Sequence, residues 1–246
     1  MIPKVIHYCW FGRSPLPSAA QKCISSWRKY LPEYEIKEWN EDNFDVNIIA
    51  YTREAYQAKK YAFVSDYARY WILYQHGGVY FDTDVEIIKP MDDIIAKGPF
   101  MGIEIPSKDG RDPMVAPGLC LGAVEHMQFY KQILDNYATL HFFNNNGTYN
   151  QKTIVHYNTE LLKKYGLQPT NDIQFIGGIW IYPCDFFNPL YDLTGKINIT
   201  DNTRSIHWYS KSWSDTYYLR KKMSRLSHRL FGMAIHDIKL YLKGGN

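Results

Sequence analysis

Residues 61–84 read YAFVSDYARYWILYQHGGVYFDTD, and the architecture follows from how their apolar positions repeat. Ala58, Ala62, Ser65, Ala68/Arg69 and Ile72 recur at three- and four-residue steps, the period of one helix face. The pattern predicts a helix over 54–75, stopped by His76-Gly77-Gly78. Val79-Tyr80-Phe81 then reads as a short apolar strand that runs into Asp82-Thr83-Asp84. On an extended strand, residues i and i+2 project the same way, so Asp82 and Asp84 are expected to enter one cleft together. A solvated acidic turn is the bland alternative.

Working outward, Pro3 to Gly12 is β-branched and aromatic and then breaks at Gly12, Pro15 and Pro17, as a buried first strand ending in a loop does. Ser18 is a candidate cap for a helix to about Tyr30, and Tyr34–Trp39 reads as a second strand. This β-α-β unit predicts an α/β protein with a mainly parallel central sheet. Downstream, the expected elements are a strand at 100–105, a Pro/Gly-rich loop to Gly118, helices near 126–137 and 159–165, and short strands between 172 and 200. No repeat or linker divides residues 1–218, which are read as one domain.

The chain has 246 residues with 46% hydrophobic and 22% charged residues, ordinary for a globular protein with a sizeable core. Aromatic content is high, 16% with 21 Tyr and 7 Trp, which suits stacking on bases and sugar faces as well as plain core packing. Residues 219–246 carry seven Lys/Arg against a single acid, Asp237. Leu219, Met223, Leu226, Leu230, Ala234, Ile235, Ile238 and Leu242 recur there at helical steps, so a basic amphipathic helical tail is expected. It would suit either an anionic membrane surface or packing on the domain. No nucleic-acid-binding motif accompanies that charge. Cys9, Cys23, Cys120 and Cys184 show no metal-ligand spacing, and neither a secretion signal nor an apolar run long enough to span a bilayer is visible. These features predict a cytoplasmic protein, peripheral at most on the inner face of the membrane.

The chemistry is expected around Asp82 and Asp84. A hard cation held by one or two carboxylates neutralises a diphosphate while keeping positions open for phosphate oxygens. Asp66 and Arg69, three apart, share a helix face aimed at the same place. Arg69 can fork onto a phosphate and Asp66 can accept from sugar hydroxyls, or the two can form an intrahelical ion pair. Glu104, at the end of the 100–105 strand, is a further candidate for substrate contact. A lone His207 beside Trp208 is either a third cation ligand or a satisfied core residue.

Tyr61–Arg69 followed by Gly77–Asp84, together with the opening Ile2–Gly12, resembles the sugar-transferase family that contains the DXD motif. That family includes yeast-type initiating mannosyltransferases, bacterial capsule and lipopolysaccharide transferases and glucosylating clostridial toxins. The resemblance implies a type A glycosyltransferase (GT-A) fold, a single Rossmann-like α/β domain, and transfer with retention of configuration. It implies that Trp10 stacks on or borders the donor base, that Asp66 and Arg69 hold donor sugar and phosphate, and that Tyr80 lines the nucleotide pocket. Asp84 would be the firmest metal ligand, for Mn²⁺ or Mg²⁺, with Asp82 binding directly or through water. The segment His207–Trp213 resembles the place where relatives supply a further ligand and a phosphate-contacting tryptophan, which makes His207, Ser212 and Trp213 candidates. The donor is expected to be a UDP-sugar carrying a hexose or N-acetylhexosamine. The acceptor is expected to be a saccharide or lipid-linked saccharide in surface polysaccharide synthesis. Two rival readings are a non-catalytic saccharide-binding protein on the same fold and a phosphohydrolase that forms an aspartyl-phosphate.

Overall fold

The structure, a computed structural model, describes residues 1–108, 110, 112–150, 152–191 and 195–210. The expected tail over 219–246 and the candidates Ser212 and Trp213 lie outside the described residues.

The elements in chain order are β1 (Val5–Cys9), α1 (Ser18–Tyr30), β2 (Glu35–Trp39), α2 (Ala50–Gln57), α3 (Tyr61–His76), β3 (Gly78–Tyr80), β4 (Val85–Ile87), α4 (Asp92–Ile95), β5 (Phe100–Ile105) and β6 (Met114–Val115). There follow β7 (Leu121–Ala123), α5 (Gln128–Ala138), α6 (Ile154–Lys164), β8 (Gln174–Ile176), β9 (Ile179–Tyr182), α7 (Cys184–Phe187), β10 (Leu190–Tyr191), β11 (Lys196–Ile197) and β12 (Ser205–His207). The main sheet has eight strands in the order β2-β1-β3-β7-β5-β9-β8, with β6 beside β5. Strands β2, β1, β3, β5 and β9 point one way, while β7, β8 and β6 oppose them. The α/β architecture with a mostly parallel central sheet is therefore as expected.

Both faces of the sheet are covered, because successive residues of a strand alternate sides. On β3, Val79 packs with Ile6, Trp27 and Phe187, whereas Tyr80 packs with Val64, Leu73 and Ile181 on the other face. Helices α2, α3, α5 and α6 cover the second face, and α1, α4 and α7 the first. Gly78, at φ 95°, is needed where β3 begins. A Cβ there would lie 2.7 Å from the Val5 carbonyl oxygen and 2.9 Å from His7 Nε2. His7 is fully satisfied in this packing: its Nδ1 accepts from the Trp39 indole at 3.0 Å, and Nε2 lies 3.1 Å from the Gly77 carbonyl. Burial pushes its pKa down to about 4, with help from nearby His76.

Several boundaries differ from the expectation. The single helix over 54–75 is two helices, α2 and α3, separated by Lys59 at φ 57°. Lys59 N–H donates to the Tyr56 carbonyl and Lys60 N–H to that of Ala55, a Schellman closure made without the usual glycine. Its absence hid the break in the sequence. Ser18 is the first helical residue and Pro17 occupies the cap position without a side-chain bond. Helix α6 begins at Ile154, ahead of the expected 159.

The candidate active site

The sequence delivers the Asp-Thr-Asp segment to the end of β3, but not on a strand. Strand β3 stops at Tyr80, and Val85 N–H closes onto the Asp82 carbonyl at 3.0 Å, so residues 82–85 form a turn. The expected i, i+2 projection on an extended strand is corrected here: the turn, and what grips it, brings the carboxylates together. Helix α1 grips the far side. The Trp27 indole donates to the Val85 carbonyl at 2.7 Å, and Ser26 Oγ accepts from Ile87 N–H at 2.9 Å.

Strand β12 approaches from more than 100 residues away and pairs antiparallel with β4, setting His207 opposite Val85. The consequence is a cluster: one ligand atom from each of Asp82, Asp84 and His207 lies within 4.8 Å of the others. His207 Nε2 is 3.0 Å from Asp84 Oδ1. Asp84 Oδ2 accepts from both the backbone N–H of Ser210 at 2.7 Å and its hydroxyl at 2.9 Å. Between His207 and Ser210, Tyr209 holds φ 51°, and its ring sits 4.2 Å from the imidazole. Burial alone would raise the Asp84 carboxyl, yet His207 and Ser210 hold it well below the usual carboxylate range. Burial opposes a charged imidazole, but Asp84 raises the His207 pKa all the same.

These residues fit a divalent cation. Two ligands placed at right angles around an ion, each about 2.1 Å from it, stand about 3 Å apart, the separation of His207 Nε2 and Asp84 Oδ1. The donor set, two carboxylates and one imidazole, matches the chemistry of Mn²⁺-like ions. His207 Nδ1 is buried and has no hydrogen-bond partner among the described residues.

Arg69 is 4% exposed and lies between two carboxylates, 3.1 Å from Asp66 and 3.3 Å from Asp82, with the Tyr80 ring 5.0 Å from its guanidinium carbon. The intrahelical Asp66–Arg69 pair is therefore present. Arg69 lines the cleft, but Asp66 and Tyr80 stand behind it. Asp66 turns toward the first turn of α6, where it accepts from Ile154 N–H, and burial lifts its pKa to about 6 against the pull of Arg69. Tyr80 is 1% exposed, and its hydroxyl donates to Asp82 Oδ1 at 3.0 Å. The expectation that Tyr80 lines the nucleotide pocket is corrected: it projects on the same side as Asp82, directly beneath it, and orients that carboxylate. Burial raises the Asp82 pKa and Arg69 opposes the rise.

The cleft has a volume of about 720 Å³. Its walls carry the charged and titratable Arg69, Asp82, Asp84, Glu104 and His207 as well as Trp10, Phe11, Pro15 and Tyr61. Trp10 is held by its indole N–H, which donates to the Ser14 carbonyl at 2.6 Å. Glu104 borders the cluster, close enough for its charge to act on His207.

Four residues at the site escaped sequence reasoning. Ser210 secures Asp84. Gly118 allows Asp82 its place, since a Cβ there would meet Asp82 Oδ2 at 2.3 Å and Arg69 Nη1 at 3.3 Å. Lys59 and Lys60, exposed by the α2–α3 break, also line the cleft. Of these, only Gly118, the last glycine of the Pro/Gly-rich loop, left a sequence signal.

Because His207 must release its proton before Nε2 can ligate, cation affinity is expected to depend on pH. The imidazole pKa is raised, so affinity is low in acid and climbs as pH passes upward through that pKa, by up to about one log unit per pH unit below it. Calorimetry of Mn²⁺ binding in buffers of different ionisation enthalpy reads the released proton. Affinity independent of pH would remove His207 from the ligand set.

The α/β sheet thus brings an Asp-Thr-Asp turn and an imidazole into one cleft. The family described as "glycosyltransferase sugar-binding region containing DXD motif" matches residues 17–101, less than half of the chain. Inositol phosphoceramide mannosyltransferase 1 of Schizosaccharomyces pombe is 32% identical over 111 residues, 41% of this chain and 33% of that protein. The chain thus matches about a third of that relative's length. An uncharacterised glycosyltransferase of Acanthamoeba polyphaga mimivirus is 27% identical over 201 residues, 76% of each chain. Among solved structures, the PaToxG glycosyltransferase superposes with a TM-score of 0.48 at 18% identity, covering 66% of this chain and 69% of its own.

Proposed function

We propose that the protein is a metal-dependent retaining glycosyltransferase that moves a hexose or N-acetylhexosamine from a UDP-sugar to a saccharide acceptor. The carrying observation is the Asp82, Asp84 and His207 cluster beside the buried Arg69, in a cleft that is also lined by Trp10, Phe11 and Tyr61. The cation, Mn²⁺ or Mg²⁺, would be held by these three side chains and would supply charge neutralisation at the donor diphosphate as the glycosidic bond breaks.

The chain's own residues do the rest. Arg69 carries a fixed positive charge, kept in register by Asp66 on one side and Asp82 on the other, and its remaining N–H groups are open to a phosphate or sugar oxygen. Trp10, immobilised by Ser14, offers a rigid face to a base and loses little entropy on binding it. Glu104 also lines the cleft, where it can accept a hydrogen bond from a sugar or acceptor hydroxyl. Retaining transfer by attack on the same face as the departing phosphate lets that phosphate take the acceptor proton, so no separate general base is required. Acceptors in surface polysaccharide synthesis, soluble or lipid-linked, fit this reading. No helix among the described residues is long and apolar enough to cross a membrane; attachment through the basic tail is part of the proposal.

Incubation of the protein with UDP- and GDP-sugars and Mn²⁺, with and without chelator, tests the reading by nucleotide release. Chelator-sensitive release from one donor supports it. Donor binding by calorimetry without turnover, even with saccharide acceptors present, would instead favour a binding protein.

A further inference from the structure

A second hollow, of about 530 Å³, lies outside the cleft and is lined by His141, Phe143, Asn144, Asn145, Asn146 and Asn150 among others. Its volume falls within the range of about 300–1,000 Å³ typical of small-molecule sites. The wall is a small hairpin. Phe143 pairs with Tyr149 across a single bridge, and Asn144 N–H donates to the Thr148 carbonyl at 2.8 Å. The hairpin is anchored from below. Glu54 on α2 accepts from the backbone N–H groups of Phe142 and Phe143 and pairs with His141 at 2.7 Å, while Phe142 packs on Phe63 of α3 with ring centres 5.1 Å apart.

Two chemical features set this hollow apart from an ordinary solvated loop. Its amides are preorganised with one end committed and the other free. The Asn144 amide nitrogen bonds Thr148 Oγ1 and the Tyr149 carbonyl, and Asn146 Oδ1 accepts from Thr148 twice. This leaves the Asn144 oxygen and the Asn146 nitrogen without partners among the described residues, and the whole Asn145 amide likewise. A set of fixed amide donors and acceptors matches the vicinal hydroxyls of a sugar. Phe143, which lines the hollow, is also 39% exposed, and such a ring face packs against the C–H face of a pyranose. Among the described residues that line the hollow there is no carboxylate, lysine or arginine, which favours a neutral ligand.

The hairpin that walls the hollow also neighbours a residue of the cleft. Tyr149 lies 5.9 Å from Lys60 Nζ, and Lys60 lines the donor cleft, while Phe143, its partner across the bridge, lines the hollow. We infer that this hairpin hollow is a second saccharide subsite, holding the distal sugars of a neutral oligosaccharide acceptor whose reacting end lies in the cleft. The inference rests on the glycosyltransferase reading for its acceptor, but binding at the hollow is measurable without turnover.

The test is saturation-transfer NMR on the full chain with mannotriose, galactotriose and chitotriose as probes, comparing wild type, Phe143→Ala, Asn145→Ala and Asp84→Ala. At least one trisaccharide should bind wild type and Asp84→Ala alike. Its binding should weaken by roughly tenfold in Phe143→Ala and Asn145→Ala, the size of a lost hydrogen bond or ring contact. Equal binding by wild type and both hairpin variants, binding lost only in Asp84→Ala, or no binding of any of the three overturns the subsite. Nucleotide release to water by Phe143→Ala and Asn145→Ala should match wild type. Loss of release in wild type itself concerns the cleft and leaves the NMR comparison readable.

Discussion

Asp84→Ala is expected to abolish Mn²⁺ binding and to lower nucleotide-sugar turnover by about a thousandfold or more, while the protein remains folded. The reasoning is a contrast between what the carboxylate does for the site and what it does for the fold. Asp84 meets His207 through one oxygen and Ser210 through the other, so it both ligates and orders the segment that brings in the imidazole. Its removal leaves Asp82 and a displaced His207, too few ligands in too loose a geometry. A single fixed electrostatic contact to developing charge is commonly worth about 10²–10³ in rate, and here a whole ligand set goes with it. The structural cost is smaller, because Asp84 is 16% exposed at the cleft surface and water can reach the groups it abandons. That cost is about 1–2 kcal/mol, that of a few unmet hydrogen bonds. Calorimetric Mn²⁺ titration and a donor assay, paired with thermal unfolding, separate the two effects. Wild-type Mn²⁺ affinity in the variant would dismiss the cation assignment.

Arg69→Met should behave in the opposite way, failing first in stability. The guanidinium side chain is 5% exposed and neutralises Asp66, itself 13% exposed, together with Asp82. Methionine fills much of the volume but leaves two poorly hydrated carboxylates facing each other. Breaking a buried pair by removing one partner costs about 3–5 kcal/mol, which for a chain of this size lowers the melting temperature by roughly 10 °C. The sign of the pH dependence is diagnostic. Burial already holds the folded-state pKa of Asp66 up near 6, above that of an exposed carboxyl. Without Arg69 it should rise further, so the variant should regain stability on acidification as Asp66 takes up a proton. A melting temperature near wild type at neutral pH would show that the array is not the buried charge balance described here. Arg69→Lys, which keeps the charge but loses the fork, should recover part of the stability and little of the turnover.

The fold was legible because its signals are local. The period of 61–76, the Gly77-Gly78 stop, the apolar Val79-Tyr80-Phe81 and the alternation in β1 and β2 each depend on neighbours a few residues away. Such patterning already fixes which side of each element is buried. The break at Lys59 was not legible, since a left-handed lysine saves its glycine signature and is stabilised by the chain reversal into α3.

The sequence alone determined an α/β chain and an Asp82/Asp84 pair after a short buried strand, and it offered Arg69 and His207 as candidate companions. Tertiary structure decided what those residues do to one another. Pairing of β12 with β4 across more than 100 residues selects Ser210 as the group that grips Asp84. A turn, rather than a strand, converges the two carboxylates. Tyr80 and Asp66 are withdrawn behind Asp82 and Arg69 because the sheet and α6 close over them. Each of these outcomes depends on the position of atoms distant in sequence, where burial, charge balance and hydrogen-bond satisfaction are settled together, and no local period encodes that balance.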